Sequence, residues 1–257
     1  SGLKTATIEN GATAVADNLF SNAKNLTKVT IPNTVKKVGS MSFYGCKSLS
    51  SVTLPNTLTE IGYSAFNGTT ALTTITIPKT VTKAGIDVFE NSGLKTATIE
   101  NGATAVADNL FSNAKNLTKV TIPNTVKKVG SMSFYGCKSL SSVTLPNTLT
   151  EIGYSAFNGT TALTTITIPK TVTKAGIDVF ENSGLKTATI ENGATAVADN
   201  LFSNAKNLTK VTIPNTVKKV GSMSFYGCKS LSSVTLPNTL TEIGYSAFNG
   251  TTALTTI

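Results

Sequence analysis

Twenty-two lysines, thirteen carboxylates and three cysteines, with no histidine and no arginine, bound the chemistry open to this 257-residue chain. Without an imidazole, the Ser-His and Cys-His pairs that activate a nucleophile are excluded. Cys46, Cys137 and Cys228 recur at intervals of 91 residues. One thiol per interval is too sparse for a zinc cluster. The run from Gly39 to Ser48 partly matches a phosphate-binding loop, but Cys46 separates Gly45 from Lys47. It also sits in a corner of a repeat, where no strand leads into a long helix. The carboxylates Glu9, Asp17, Glu60, Asp87 and Glu90 fall in different columns of the repeat and do not pair by spacing. The expectation is a chain that is not an enzyme, with no cofactor and no metal.

What positions these groups is repetition. One 91-residue unit is written three times without substitution, as Ser1–Asn91, Ser92–Asn182 and Ser183 onward to Ile257. A period this strict identifies a stacked-repeat architecture before local propensity is considered. The chain is therefore read as one solenoid over 1–257, with units 1–91, 92–182 and 183–257. Inside the unit, Leu3, Leu26, Leu49 and Leu72 open four turns with steps of 23, 23, 23 and 22 residues. Further apolar columns follow, among them Ala6, Val29, Val52 and Ile75, then Ile8, Ile31, Leu54 and Ile77. All eleven phenylalanines occupy one column, from Phe20, Phe43, Phe66 and Phe89 to Phe248. The result is eleven complete turns and an extra strand, Leu254 to Ile257.

Each turn has a physical reading. Leu26-Thr-Lys-Val29-Thr-Ile31 alternates apolar and polar residues over a β-branched run, the pattern of a half-buried strand. Pro32, Pro55 and Pro78 end such strands because proline donates no N–H to a ladder. Val35 and Val38 predict a second short extended segment before Gly39. Ser40–Phe43 is too short for an independent helix and reads as a turn or one helical turn. Gly45 and Gly68 suit the corner toward the next strand. One turn cannot bury its own apolar face, but stacked turns can. The cysteine column also holds Ala23, Thr69 and Ser92, all small, which points to buried packing. An intermolecular bridge or a metal site is the alternative. Four strand spacings, about 19 Å, separate the thiols, so they do not pair within the chain.

Taken together, the columns L-x-x-V-x-I-P-x-x-V-x-x-I-G-x-x-x-F-x-G-C resemble the BspA-type leucine-rich repeat. Residues 26–48 and 49–71 match it nearly position by position, and the likeness extends over the whole chain. The first turn departs from the pattern, with Glu9 at the proline position and Ala16 at the glycine position, and the fourth lacks one residue before Leu94. The resemblance implies a mostly β, right-handed leucine-rich-repeat solenoid of about eleven turns of 22–23 residues. Its parallel strand stack would be curved and joined by short turns or single helical turns. It also implies an extracellular or cell-surface protein similar in role to adhesins.

The net charge of +9 is carried entirely by lysine. Nucleic acid is not an expected partner, since arginine forks are absent and Tyr44 and Tyr63 are the sole aromatic candidates outside the core column. Lys36, Lys37 and Lys83 read as solvated side chains. Lys4 and Lys28 face outward from the strand, where they attract anionic polymers. Thr7, Thr30, Thr53 and Thr76 form one outward column, with Thr5, Lys28, Ser51 and Thr74 two residues earlier. Stacked hydroxyls on good strand formers need no function, and two threonine columns also resemble ice-binding solenoids. A protein or glycan ligand on this face is the third reading. The candidate face is then Thr5, Thr7, Lys28, Thr30, Ser51, Thr53, Thr74 and Thr76, with Lys119 and Lys210 as copies of Lys28.

No apolar run of membrane-spanning length is present, so insertion in a membrane is not expected. The sequons Asn25-Leu26-Thr27 and Asn67-Gly68-Thr69 would be glycosylated only in a eukaryotic secretory pathway. The chain reads as a window of a longer array, because neither end carries a polar cap. Three functions are consistent with it: an adhesin or protein-interaction module, a fibre or stalk built by end-to-end stacking of solenoids, and a designed repeat scaffold.

Overall fold

Alternation along the first segment of each turn sets which side chains enter the core. The computed structural model describes residues 2–257. Its first strands are β1 (Thr5–Thr7), β2 (Ala14–Val15), β3 (Lys28–Thr30), β4 (Lys37–Val38), β5 (Ser51–Val52) and β6 (Glu60–Ile61). They continue with β7 (Thr74–Ile77), β8 (Lys83–Ala84), β9 (Thr96–Ile99), β10 (Ala105–Val106) and β11 (Lys119–Thr121). Among these eleven, odd-numbered strands stack in parallel on one face of the solenoid and even-numbered strands on a second. The register repeats the sequence period: Thr5 lies opposite Lys28, and Lys28 opposite Ser51. Where the step shortens, Thr74 pairs with Thr96 and Ile77 with Ile99, so the missing residue leaves this register in phase. In β7 and β9 the alternating residues are exposed and buried in turn.

The third side of each turn takes the first of its two expected forms, a turn and not a helical turn. No helical turn forms there among the described residues; the segment is a run of tight turns. Asn18, Met41, Ser64 and Asp87 all have φ between 49° and 59°, in the left-handed region. Four residues later Asn22, Gly45, Gly68 and Asn91 are left-handed as well. Two such residues per corner rule out a helical turn. The backbone bonds to the adjacent turn instead. Phe43 N–H donates to the Ala65 carbonyl and Phe66 N–H to the Val88 carbonyl, both at 2.9 Å. Corner residues thus form a third ladder, which satisfies donors that the core would otherwise strand.

Close stacking of the turns makes glycine necessary in one column. A Cβ on Gly62 would lie 2.5 Å from the Ser40 nitrogen, and one on Gly85 would lie 2.4 Å from the Tyr63 nitrogen. Threonines add a second stitch: Thr34 Oγ1 donates to the Ala12 carbonyl and Thr57 Oγ1 to the Val35 carbonyl, each at 2.7 Å.

The core is the predicted set of columns. The eleven phenylalanines form one continuous stack, with ring centroids 5.1–5.8 Å apart and rings within 24° of parallel. Phe43 through Phe225 are fully buried. Each contributes about 1.5–3 kcal/mol of burial, and the offset stacking adds to it. All three cysteines are buried and free, as the small-residue column implied. The last segment is less ordered into sheet than expected. Of Leu254–Ile257, Thr256 alone pairs, in an isolated bridge to Ser233.

Candidate interaction face

All ten residues of the expected face are exposed, on the outward positions of the odd-strand stack and its edge. β1 carries Thr5 and Thr7, β3 carries Lys28 and Thr30, and β7 carries Thr74 and Thr76. Ser51 is in β5, Lys119 in β11 and Lys210 in the strand Lys210–Thr212. Thr53 follows β5 outside the regular ladder.

Four of them are brought together. The odd-strand stack is interrupted between β5 and β7, so that β1-β3-β5 and β7-β9-β11 are separate three-stranded sheets. At the interruption lies a cleft of about 500 Å³ whose lining includes Ser51, Thr53, Thr74 and Thr76. The identical cleft in the second unit, about 470 Å³, is lined by Ser142, Thr144, Thr165 and Thr167 among others. Thr5, Thr7 and Thr30 lie on earlier turns. The copies of the first two, Thr96 and Thr98, do line the first cleft, because it spans the end of one unit and the start of the next.

Local sequence explains the interruption. Where neighbouring turns read Thr-Lys-Val-Thr-Ile or Thr-Thr-Ile-Thr-Ile, the third turn reads Ser-Ser-Val-Thr-Leu. Serine lacks the β-branched carbon that favours a strand. Its strand is correspondingly short in the first unit, and in the second it shrinks to a bridge between Lys119 and Ser142.

The cleft also recruits residues that the column analysis did not single out. Asn56 and Glu100 are on its wall, with Val52, Leu54, Ile75 and Pro78 supplying apolar surface. Glu100 is half-buried, and its Oε2 accepts the Lys79 N–H at 3.0 Å. The signal was present: Glu100 stands in the column where other turns have proline. Reading down the first outward column gives Lys28, Ser51, Thr74, Thr96 and Lys119. The cleft therefore occupies a lysine-free, hydroxyl-bearing window with a lysine on the turn before it and another on the turn after.

Elsewhere the polar groups serve the fold. Lys37 pairs with Glu60 at 2.9 Å on the even-strand face, a partnership visible in the 23-residue step but read beforehand as a solvated lysine. The hydrogen bond to Glu60 holds the Lys37 ammonium above its ordinary pKa. Cys46, Cys137 and Cys228 donate Sγ–H to the carbonyls of Phe20, Phe111 and Phe202 at 3.0–3.1 Å. Burial pushes the Cys46 thiol up to about 11 and the Cys228 thiol up to about 12, and it raises Cys137 as well. Such thiols are poor nucleophiles and poor metal ligands. Among the described residues, no three His, Cys, Asp or Glu side chains are grouped to hold a metal ion. No helix of the described residues is long and apolar enough to cross a membrane.

The sequence pattern of the BspA type Leucine rich repeat region (6 copies) matches residues 1–117, 104–222 and 195–257. Among solved structures, the chain is similar to a leucine rich cell surface protein from Faecalibacterium prausnitzii. Identity is 27% and the TM-score 0.50, over 99% of this chain and 87% of that one. It is also similar to a leucine-rich repeat protein from Bacteroides ovatus, at 23% identity and a TM-score of 0.49, covering 97% of this chain and 85% of that one. A leucine-rich repeat protein from Eubacterium ventriosum gives 25% identity and a TM-score of 0.48, covering 96% of this chain and 82% of that one. No curated protein sequence matches the chain.

Proposed function

The chain belongs to the BspA type leucine-rich repeat family, and from that premise we propose that it is a non-enzymatic adhesin or protein-interaction module at the cell surface or outside the cell. The Thr/Lys strand face is its contact surface. The observation that carries this reading is the arrangement of that face. Its outward hydroxyls and lysines recur in register over many turns, and two open clefts interrupt it at identical places. A long regular surface of this kind binds by summing many modest contacts along its axis, which suits an extended surface ligand. The similar Faecalibacterium prausnitzii structure is of a cell surface protein.

The test reverses the charge of the three equivalent lysines, Lys28→Glu, Lys119→Glu and Lys210→Glu. All three are exposed, so the fold should keep its thermal midpoint. Binding of the triple variant to fixed cells and to extracellular-matrix coats should fall at least tenfold. Unchanged binding with unchanged stability would remove this face from the contact.

A further inference from the structure

Resting on the strand-face reading, we infer that each cleft is a carbohydrate site, taking a neutral, hydroxyl-rich oligosaccharide laid along the solenoid axis across the third, fourth and fifth turns. The lining specifies this chemistry. Ser51, Thr53, Thr74, Thr76, Thr96 and Thr98 each bring a hydroxyl to the wall, and every hydroxyl can both donate and accept. Asn56 adds an amide with both capacities. Sugar hydroxyls, which also donate and accept, match this lining better than any single-sign ligand. Val52, Ile75 and Pro78 supply the apolar patches on which the C–H faces of a sugar ring can rest.

Charge narrows the class. In a chain of net charge +9, no lysine lines either cleft, and each contains one carboxylate. In the first it is Glu100, in the second Glu191. One oxygen of each is already engaged by a backbone N–H, from Lys79 and Lys170 respectively, at 3.0 Å. The other oxygen is left to accept from a ligand hydroxyl, and a carboxylate at this place repels an acidic sugar. Lysines begin again one turn away on both sides, at Lys28 and Lys119. Acidic substituents are thus favoured beyond the cleft and disfavoured within it.

The width of the opening sets the peptide alternative aside. An extended peptide joining the sheet between β5 and β7 would need two strand spacings, about 9.6 Å. Cα atoms of those two strands still come within 8 Å of each other. A ligand held from the mouth of the cleft by side-chain hydroxyls needs no such separation.

The inference predicts a stoichiometry. Among the described residues the cleft occurs twice, once where the first unit meets the second and once where the second meets the third. The probe is an immobilised array of neutral galactose-, glucose-, mannose- and N-acetylglucosamine-based oligosaccharides beside sialylated and sulfated ones. The strongest neutral binder is then titrated calorimetrically. The expected result is capture by neutral oligosaccharides, with two sites per chain. Binding should weaken at least tenfold in the double variant Thr76→Val and Thr167→Val, which keeps shape and removes two exposed hydroxyls. A second double variant, Glu100→Gln and Glu191→Gln, should also weaken it while retaining the Lys79 and Lys170 contacts. Thermal melting of both doubles checks that the fold is intact. Three outcomes would overturn the inference: no oligosaccharide captured, acidic oligosaccharides alone captured, or capture insensitive to both doubles. Those failures leave the strand face standing if the lysine triple variant still loses cell binding. Loss of the face itself would show instead as cell binding indifferent to the lysines.

Discussion

Thr255 donates its backbone N–H to the carbonyl of Ser232 at 3.0 Å, a bond that its identical counterparts do not make. Among the described residues, none joins Thr73 to Ser50 or Thr164 to Ser141. The sequences of these two turns are the same in all three units. In the first two units the fourth turn carries a further turn, and its strand pairs over four residues with the next: Thr74–Ile77 on Thr96–Ile99, and Thr165–Ile168 on Thr187–Ile190. In the third unit Thr256 bridges to Ser233. Each cleft thus lies between a four-residue ladder on one side and a short serine-containing strand or bridge on the other.

Strengthening that weak strand should be stabilising. Ser141→Thr with Ser142→Thr gives the third turn of the central unit the strand former found in its neighbours. We expect a gain of a few tenths to about 1 kcal/mol, read as a higher urea midpoint with an unchanged slope.

The phenylalanine stack is the opposite case. Phe134 is fully buried between Phe111 and Phe157, with centroids at 5.6 and 5.2 Å. Phe134→Ala should cost about 3–5 kcal/mol through the cavity it leaves. Because stacked turns couple mainly to their neighbours, amide protection should fall around that turn first. A uniform loss along the chain would contradict nearest-neighbour coupling.

At Gly153 the prediction is overpacking. A Cβ there would stand 2.4 Å from the Ser131 nitrogen and 2.7 Å from the Gly130 carbonyl carbon. Both are backbone, so the turns must part. Gly153→Ala should destabilise by about 1–3 kcal/mol, whereas Gly2→Ala, with open space around it, should not.

Buried thiols give stability a pH dependence with a definite sign. In the unfolded chain a thiol ionises near its ordinary value of 9.0, but burial pushes Cys46 up to about 11 and Cys228 up to about 12. Below pH 9 both states hold the proton and the thiols contribute no slope. Between 9 and the raised values only the unfolded state releases it, so stability falls as pH rises through that window. Comparing the wild type with Cys46→Ala, Cys137→Ala and Cys228→Ala combined isolates this slope from lysine and tyrosine titration. The triple variant should show the shallower decline.

How far these features could be read beforehand follows from their physical origin. The core columns were legible because burial forces a periodic pattern, and Phe43, Leu49 and Val29 occupy the predicted positions. The outward column was legible for the same reason. The cleft was not, because it arises from a difference in pairing strength between neighbouring strands, which no column shows. Ser50 and Ser51 and the shortened step before Leu94 were visible, but their joint effect needs the register of three successive turns. The corners were legible only as a choice between a turn and one helical turn. Left-handed φ at Met41 and Ser64 is imposed by the neighbouring turn and has no propensity signal of its own.

Native-state amide hydrogen exchange at Thr73 and Thr164 tests the account most directly. Their equivalents on intact rungs, Ser50 and Lys95, donate to the carbonyls of Thr27 and Thr73 at 3.3 and 2.9 Å. If the openings in the first two units form the candidate site, Thr73 and Thr164 should exchange at least a hundredfold faster than Lys95. Equal protection at Thr73 and Lys95 would mean that the ladder is continuous and the clefts are closed in solution.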